Sequence, residues 1–187
     1  MSADLLPGGA SHRDPSHAFI TGQTMMGKST LGRKMMLPYL SQKIPVAVYS
    51  PVEPANRWDE RAFVFADFYD FLVFVRKHMK GGGLLVIDEA DTVLSQGDRA
   101  NWWIATRSRH FGFRALILTQ RPALVAPTVR GQCGECYAFN VADEDAKLLA
   151  RDYSSPGLKE APKLLQGQYI MAYLKDGRKV TEVYRVF

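Results

Sequence analysis

The sequence has little of what would tie it to an oxidising compartment or to a membrane. Two cysteines in 187 residues, Cys133 and Cys136, make no disulfide framework, which points to a reducing compartment. No apolar run, Phe71 to Val75 among them, approaches the roughly 20 residues that a spanning helix needs. The amino terminus, MSADLLPGGASHRDPS, lacks the basic-then-apolar order of a secretory signal. There is no internal repeat and no low-complexity segment. Charge of one sign is only slightly in excess: a formal net charge of +5 favours an anionic partner such as nucleic acid but is too small to establish one. These absences lead to the expectation of a soluble, cytoplasmic protein. The length suits one domain with a sizeable core, expected over residues 17–187 behind a flexible arm at 1–16 rich in Gly, Pro, Ser and Ala.

What is present centres on Gly22-Gln-Thr-Met-Met-Gly-Lys-Ser-Thr30, which satisfies G-x-x-x-x-G-K-[ST]. A short apolar run, His17 to Thr21, precedes it, and helix formers from Leu31 to Leu40 follow it. Strand, loop, helix is the setting in which successive backbone N–H groups turn inward to cradle phosphate at the positive end of a helix dipole. The residues from Gly22 through Gln23, Thr24, Met25, Met26, Gly27, Lys28, Ser29 and Thr30 are therefore expected to bind ATP. Lys28 would reach the β- and γ-phosphates, and the Ser29 hydroxyl would be a Mg²⁺ ligand.

Further apolar runs read as strands: Pro45–Tyr49, Ala62–Ala66, Leu84–Asp88, Ala115–Gln120 and Tyr137–Val141. Asp67 is expected to cap a helix carrying Phe68, Phe71, Leu72, Val75 and Met79 on one face. A helical stretch that includes Trp102 and Trp103 is expected after Glu89, ending near 107–112, and a short helix over Asp143–Tyr153 with Asp143 as its cap. Residues 168–187, flanking Asp176-Gly177, read as a terminal β-hairpin. Alternating strands and helices imply an α/β fold with a mostly parallel central sheet flanked by helices.

Leu84-Leu-Val-Ile-Asp88-Glu89 is an apolar strand ending in two acids, the Walker B pattern. Asp88 would lie near Mg²⁺, and Glu89 is placed to polarise an attacking water. Thr119-Gln120 ends the next apolar strand, where the Gln120 amide would sense the γ-phosphate. Asp88-Glu89-Ala90-Asp91 also spells the signature of the DEAD-box RNA helicases, but those need a second RecA-like domain for which the chain has no room; Asp91 reads instead as a first-turn helix residue. Cys133-Gly-Glu-Cys136 has neither a second pair nor paired histidines, and reads as buried thiols rather than a zinc site. Lys175, Arg178, Lys179 and Arg185 make the terminal hairpin basic, a pattern that reads first as a solvated face.

The phosphate loop, the Asp88-Glu89 strand, Arg109-His110-Phe-Gly112 and Thr119-Gln120-Arg121-Pro122 together resemble the FtsK/HerA superfamily of DNA-pumping ATPases, over residues 17–141. The small size is most similar to the genome-packaging ATPases of membrane-containing double-stranded DNA viruses. That resemblance implies a RecA-like (ASCE) P-loop NTPase fold and a homo-oligomer, a hexameric ring. It further implies ATP-driven translocation of double-stranded DNA without sequence preference, in the host cytoplasm or at a capsid vertex or portal protein of the virion. It also implies an arginine supplied in trans to the neighbour's γ-phosphate, with Arg109 first and Arg107, Arg114, Arg121 and Arg130 as alternates. An assembly ATPase acting on protein, as in filamentous phage extrusion, and an oligomeric scaffold with little turnover are the alternatives. Met25 and Met26 stand where many relatives carry small residues, and imply a stiffer loop.

Overall fold

Eight strands form one sheet in the computed structural model, which describes residues 16–175 and 178–186. In chain order the elements are β1 (His17–Thr21), α1 (Lys28–Ser41), β2 (Val46–Tyr49), β3 (Phe63–Phe65), α2 (Phe68–His78), β4 (Gly83–Ile87) and α3 (Trp103–Thr106), followed by β5 (Phe113–Thr119), α4 (Pro127–Gly131), β6 (Cys133–Ala138), α5 (Asp143–Asp152), β7 (Gln168–Lys175) and β8 (Arg178–Arg185). The strand order is β3-β2-β4-β5-β1-β6-β7-β8. β1 to β6 run parallel, whereas β7 lies antiparallel to β6 and β8 antiparallel to β7. The expected hairpin is thus an extension of the central sheet; its turn residues 176–177, and residues 1–15 of the expected arm, lie outside the described residues.

The central strands read HAFIT, GLLVI and FRALILT and are buried along their whole length, as strands covered on both faces must be. One face packs Phe19, Leu85, Ile87, Ala115 and Ile117 against α2 residues Phe71, Leu72 and Val75. The other packs Ile20, Val48, Leu116 and Leu118 against α1 residues Leu31, Met35 and Met36. Asp67 caps α2 as expected, its carboxylate accepting from the Asp70 N–H at 2.9 Å.

One topological fact positions the site. β5 lies between β4 and β1, with Thr21 level with Thr119 and Ile87 level with Ile117. Parallel neighbours in register end at the same edge of the sheet, so the segments after β1, β4 and β5 are gathered there.

Three expectations need correction. The stretch after Glu89 is not one helix but a series of short turns, with 3₁₀ segments at Ala90–Thr92, Arg99–Asn101 and Ser108–Phe111 around the four-residue α3. Side chains there satisfy the backbone groups a helix would have used: Asn101 Nδ2 donates to Val93 O at 2.9 Å, Trp102 Nε1 to Ser95 O at 2.9 Å, and Asp98 accepts from the Ser95 N–H at 3.0 Å. Such local bonds compete with helix. β6 starts at Cys133, four residues before the expected Tyr137. Asp143 does not cap α5; Ala142 holds that position, and Asp143, Glu144 and Asp145 fill the first turn, where acids favour the positive helix end.

Candidate nucleotide site

The loop between β1 and α1 holds its shape through backbone conformations that ordinary residues avoid. Gly22 and Gly27 have φ of 154° and 117°. A Cβ on Gly22 would stand 2.5 Å from Phe139 Cβ, and one on Gly27 2.9 Å from Val186 Cγ1. Met25 adopts a left-handed conformation, φ 63°, with its side chain in solvent. The loop is tied to neighbouring segments: Gln23 N–H donates to Asn140 O at 2.8 Å and Gly167 N–H to Met26 O at 3.1 Å, while Gln166 Nε2 donates to Met25 O at 3.0 Å. Lys28 folds back over the loop, its Nζ donating to Gln23 O at 2.9 Å. Burial pulls its ammonium below the usual lysine range, against the carboxylates of Glu89 and Asp88.

The loop floors a cavity of about 430 Å³ whose walls include Ser29, Thr30, Asp88, Glu89 and Gln120. Asp88 follows directly on β4 and is buried, accepting from the Glu89 N–H at 3.1 Å and the Ser50 hydroxyl at 3.4 Å. Burial first, then the charges of Glu89 and Glu53, push its carboxyl up to about 6. A buried carboxylate beside other negative groups is a place for a cation, and with the Ser29 hydroxyl it offers the hard oxygen ligands that suit Mg²⁺.

Glu89 sits at φ 49°, ψ 47°, a left-handed conformation that costs a non-glycine residue on the order of 1–3 kcal/mol. The turn after it is held by Thr92, whose hydroxyl donates to Glu89 O at 2.7 Å, and by Asp91, which accepts from the Thr119 hydroxyl at 2.6 Å. Asp91 is thus in the first turn of a 3₁₀ segment, as a tie between β4 and β5. Gln120 bridges two of the sequence-expected elements: its Nε2 donates to Glu89 Oε1 at 2.8 Å, and its Oε1 accepts from the Thr24 hydroxyl at 2.6 Å.

The five arginines separate by burial. Arg114 pairs with Glu135 at 2.6 Å and is 5% exposed; Arg130 pairs with Asp152 at 2.8 Å and is 2% exposed. Both are held in ion pairs within the chain. Arg107, Arg109 and Arg121 are exposed. Arg121 follows Gln120, which lines the cavity. Arg107 and Arg109 precede β5 and stand at the opposite edge of the sheet, a seven-residue strand away, or roughly 23 Å.

Arg33, Glu53, Val52 and Gln166 also line the cavity, and sequence reading missed them. Arg33 donates to Glu53 at 3.1 Å and to Arg57 O at 3.0 Å, and its guanidinium lies over the Trp58 ring at 5.4 Å. Five residues beyond Lys28 on α1, Arg33 could have been placed near the loop; Glu53 and Gln166 carry no such local signal. Cys133 and Cys136 are free and buried, with thiols that burial pushes up. Among the described residues no cluster of His, Cys, Asp and Glu is arranged to hold a metal by itself, and no helix is long and apolar enough to cross a membrane.

No protein-family model matches the sequence, and no curated protein matches it. Solved structures do. The genome packaging NTPase B204 from Sulfolobus turreted icosahedral virus 2, in complex with ATP-gammaS, superposes with a TM-score of 0.75 at 16% identity, over 92% of this chain and 98% of that one. B204, the DNA-packaging ATPase from Sulfolobus turreted icosahedral virus, gives 0.71 at 18% identity over 90% and 97%. The pCW3 conjugation coupling protein TcpA gives 0.68 at 16% identity over 94% of this chain and 62% of that one, and Thermomonospora curvata EccC, in complex with a signal sequence peptide, gives 0.67 at 14% over 93% and 37%. With β5 between β1 and β4, and an antiparallel hairpin extending the sheet, the chain has the mixed α/β fold that it shares with the packaging NTPase B204 and the coupling protein TcpA.

Proposed function

We propose that this protein hydrolyses ATP to translocate double-stranded DNA, as a genome-packaging ATPase working in a homo-oligomeric, hexameric ring. The observation that carries the reading is the bond from Gln120 to Glu89, made while Gln120 also holds Thr24 of the phosphate loop. A carboxylate at the mouth of a phosphate cradle, oriented by an amide that touches the cradle itself, is suited to hydrolysis.

In this reading the loop N–H groups from Gly22 to Thr30 bind the phosphates, and Lys28 leaves Gln23 O for the β- and γ-phosphates. Ser29 and Asp88 would hold Mg²⁺, which when bound neutralises charge between the β- and γ-phosphates. Glu89 accepts the proton of the attacking water, and Gln120 positions Glu89 and reports the terminal phosphate. Arg109 of a neighbouring subunit supplies positive charge to the transferring phosphoryl group. DNA is moved by its phosphates. The similarity to B204 and TcpA supports the DNA reading, and packaging at a capsid vertex or portal protein, in the host cytoplasm, is proposed from the likeness to the former. EccC, solved with a signal sequence peptide, supports a second reading, that the substrate is a protein.

The test is duplex binding with an ATP analogue at rising salt, together with ATP turnover per subunit across protein concentration, with and without duplex. DNA translocation requires affinity that falls with salt and turnover that rises with concentration and with DNA. ATP turnover without duplex binding would transfer the reading to a protein substrate.

A further inference from the structure

The turn before β7 closes the cavity on the side opposite the catalytic carboxylates. Glu89 and Gln120 stand after β4 and β5; the phosphate loop follows β1, beyond β5; and β6 and β7 lie beyond β1. A nucleotide whose terminal phosphate faces Glu89 and whose inner phosphates rest on the loop has one direction left for its base, away from β4. Gln166 is the one described residue from beyond β1 that lines the cavity.

Its position is built. Asn140, just past β6, donates through Nδ2 to Pro162 O at 2.8 Å and to Leu164 O at 3.0 Å, which fixes the segment leading into the turn. Gly167 N–H bonds the phosphate loop at Met26 O. The Gln166 amide itself spends its Nε2 on Met25 O, at 3.0 Å. A carboxamide so engaged presents its Oε1, which can only accept.

We propose that Gln166 reads the base of the bound nucleotide, accepting a hydrogen bond from an exocyclic amino group such as N6–H₂ of adenine. The inference rests on the reading of this cavity as a nucleotide site. A 6-oxo purine sets an acceptor against Oε1. To meet it with Nε2 the amide must turn over and release Met25 O. Either way one polar group loses its partner, and that loss is the source of selection.

The experiment is calorimetric binding of ATP, inosine triphosphate and inorganic tripolyphosphate, each with Mg²⁺, to the full chain and to Gln166→Ala. Inosine triphosphate differs from ATP only in its 6-oxo group and the N1–H that accompanies it, and tripolyphosphate has no base. The expected result is ATP bound about tenfold more tightly than inosine triphosphate, this preference lost in Gln166→Ala, and tripolyphosphate affinity reduced by the substitution less than ATP affinity. Equal affinity of the unmodified chain for the two nucleotides would overturn the proposal while leaving the phosphate site standing. A Gln166→Ala change that weakens tripolyphosphate as much as ATP would show that Gln166 acts only through the loop, and would also overturn it. Failure of all three ligands to bind would remove the nucleotide reading itself.

Discussion

Gln120 donates its amide hydrogen to Glu89 at 2.8 Å, across the edge between two neighbouring strands. The same amide accepts from Thr24 at 2.6 Å, so the residue that touches the Glu89 carboxylate also touches the loop after β1. Gln120→Leu removes both bonds with little change in volume. Turnover is expected to fall about 10²-fold, as when an oriented donor is lost from a reacting centre, with ATP affinity nearly kept. Steady-state kinetics beside a direct binding assay separate the two effects.

Asp88 carries a stability signature opposite to its use. Its folded-state carboxyl is raised to about 6 from an ordinary value of 3.8, first by burial and then by Glu89 and Glu53. A raised carboxyl contributes stability that is fully present below the unfolded value and is lost as pH rises through the folded one. Asp88→Asn is therefore expected to stabilise the nucleotide-free, Mg²⁺-free protein above about pH 6, by about 2–3 kcal/mol, and to give no gain near pH 4. Thermal melts of both proteins across that range check the sign, and Mg²⁺-dependent ATP affinity falls in the same variant.

Gly22 is fixed from two sides. Its φ of 154° strains any other residue, and a Cβ there would meet Phe139 Cβ at 2.5 Å. Because Phe139 is fully buried and follows β6, neither partner can withdraw. Gly22→Ala is expected to destabilise the protein by about 1–3 kcal/mol and to abolish tripolyphosphate binding, read by thermal shift and calorimetry.

Arg114 and Glu135 form a buried pair at 2.6 Å, with the Tyr137 hydroxyl donating to the same carboxylate oxygen at 2.8 Å. Breaking it on one side strands a buried charge. Glu135→Leu is expected to cost about 3–5 kcal/mol, and the double variant Arg114→Met/Glu135→Leu substantially less. Denaturant unfolding of the two variants against the parent makes the comparison.

What was legible in the sequence was what is written locally. The turn between β1 and α1 is announced by Gly22 and Gly27, which hold the backbone at positive φ, and Leu84–Glu89 announces its strand because burial on both faces demands continuous apolar residues. The start of β6 was hidden by Gly134 and Glu135, a glycine and a charge inside a strand. Glu135 is tolerated there only because Arg114 pairs with it from β5, on the other side of β1. Gln166 and Glu53 were hidden for another reason: a strand order that is not the chain order brings them to the cavity, and no local pattern encodes that order. The helix expected after Glu89 failed because Ser95, Asp98 and Asn101 bond the backbone through their side chains.

The most direct test is Glu89→Gln, measured for ATP binding and for ATP turnover in the same preparation. The substitution keeps the shape beside Gln120 and removes the base. Unchanged or tighter ATP binding is expected, with turnover reduced about 10²- to 10⁴-fold. Turnover that survives the substitution would contradict that expectation, and would return the protein to a nucleotide-binding scaffold whose hydrolysis, if any, is done elsewhere.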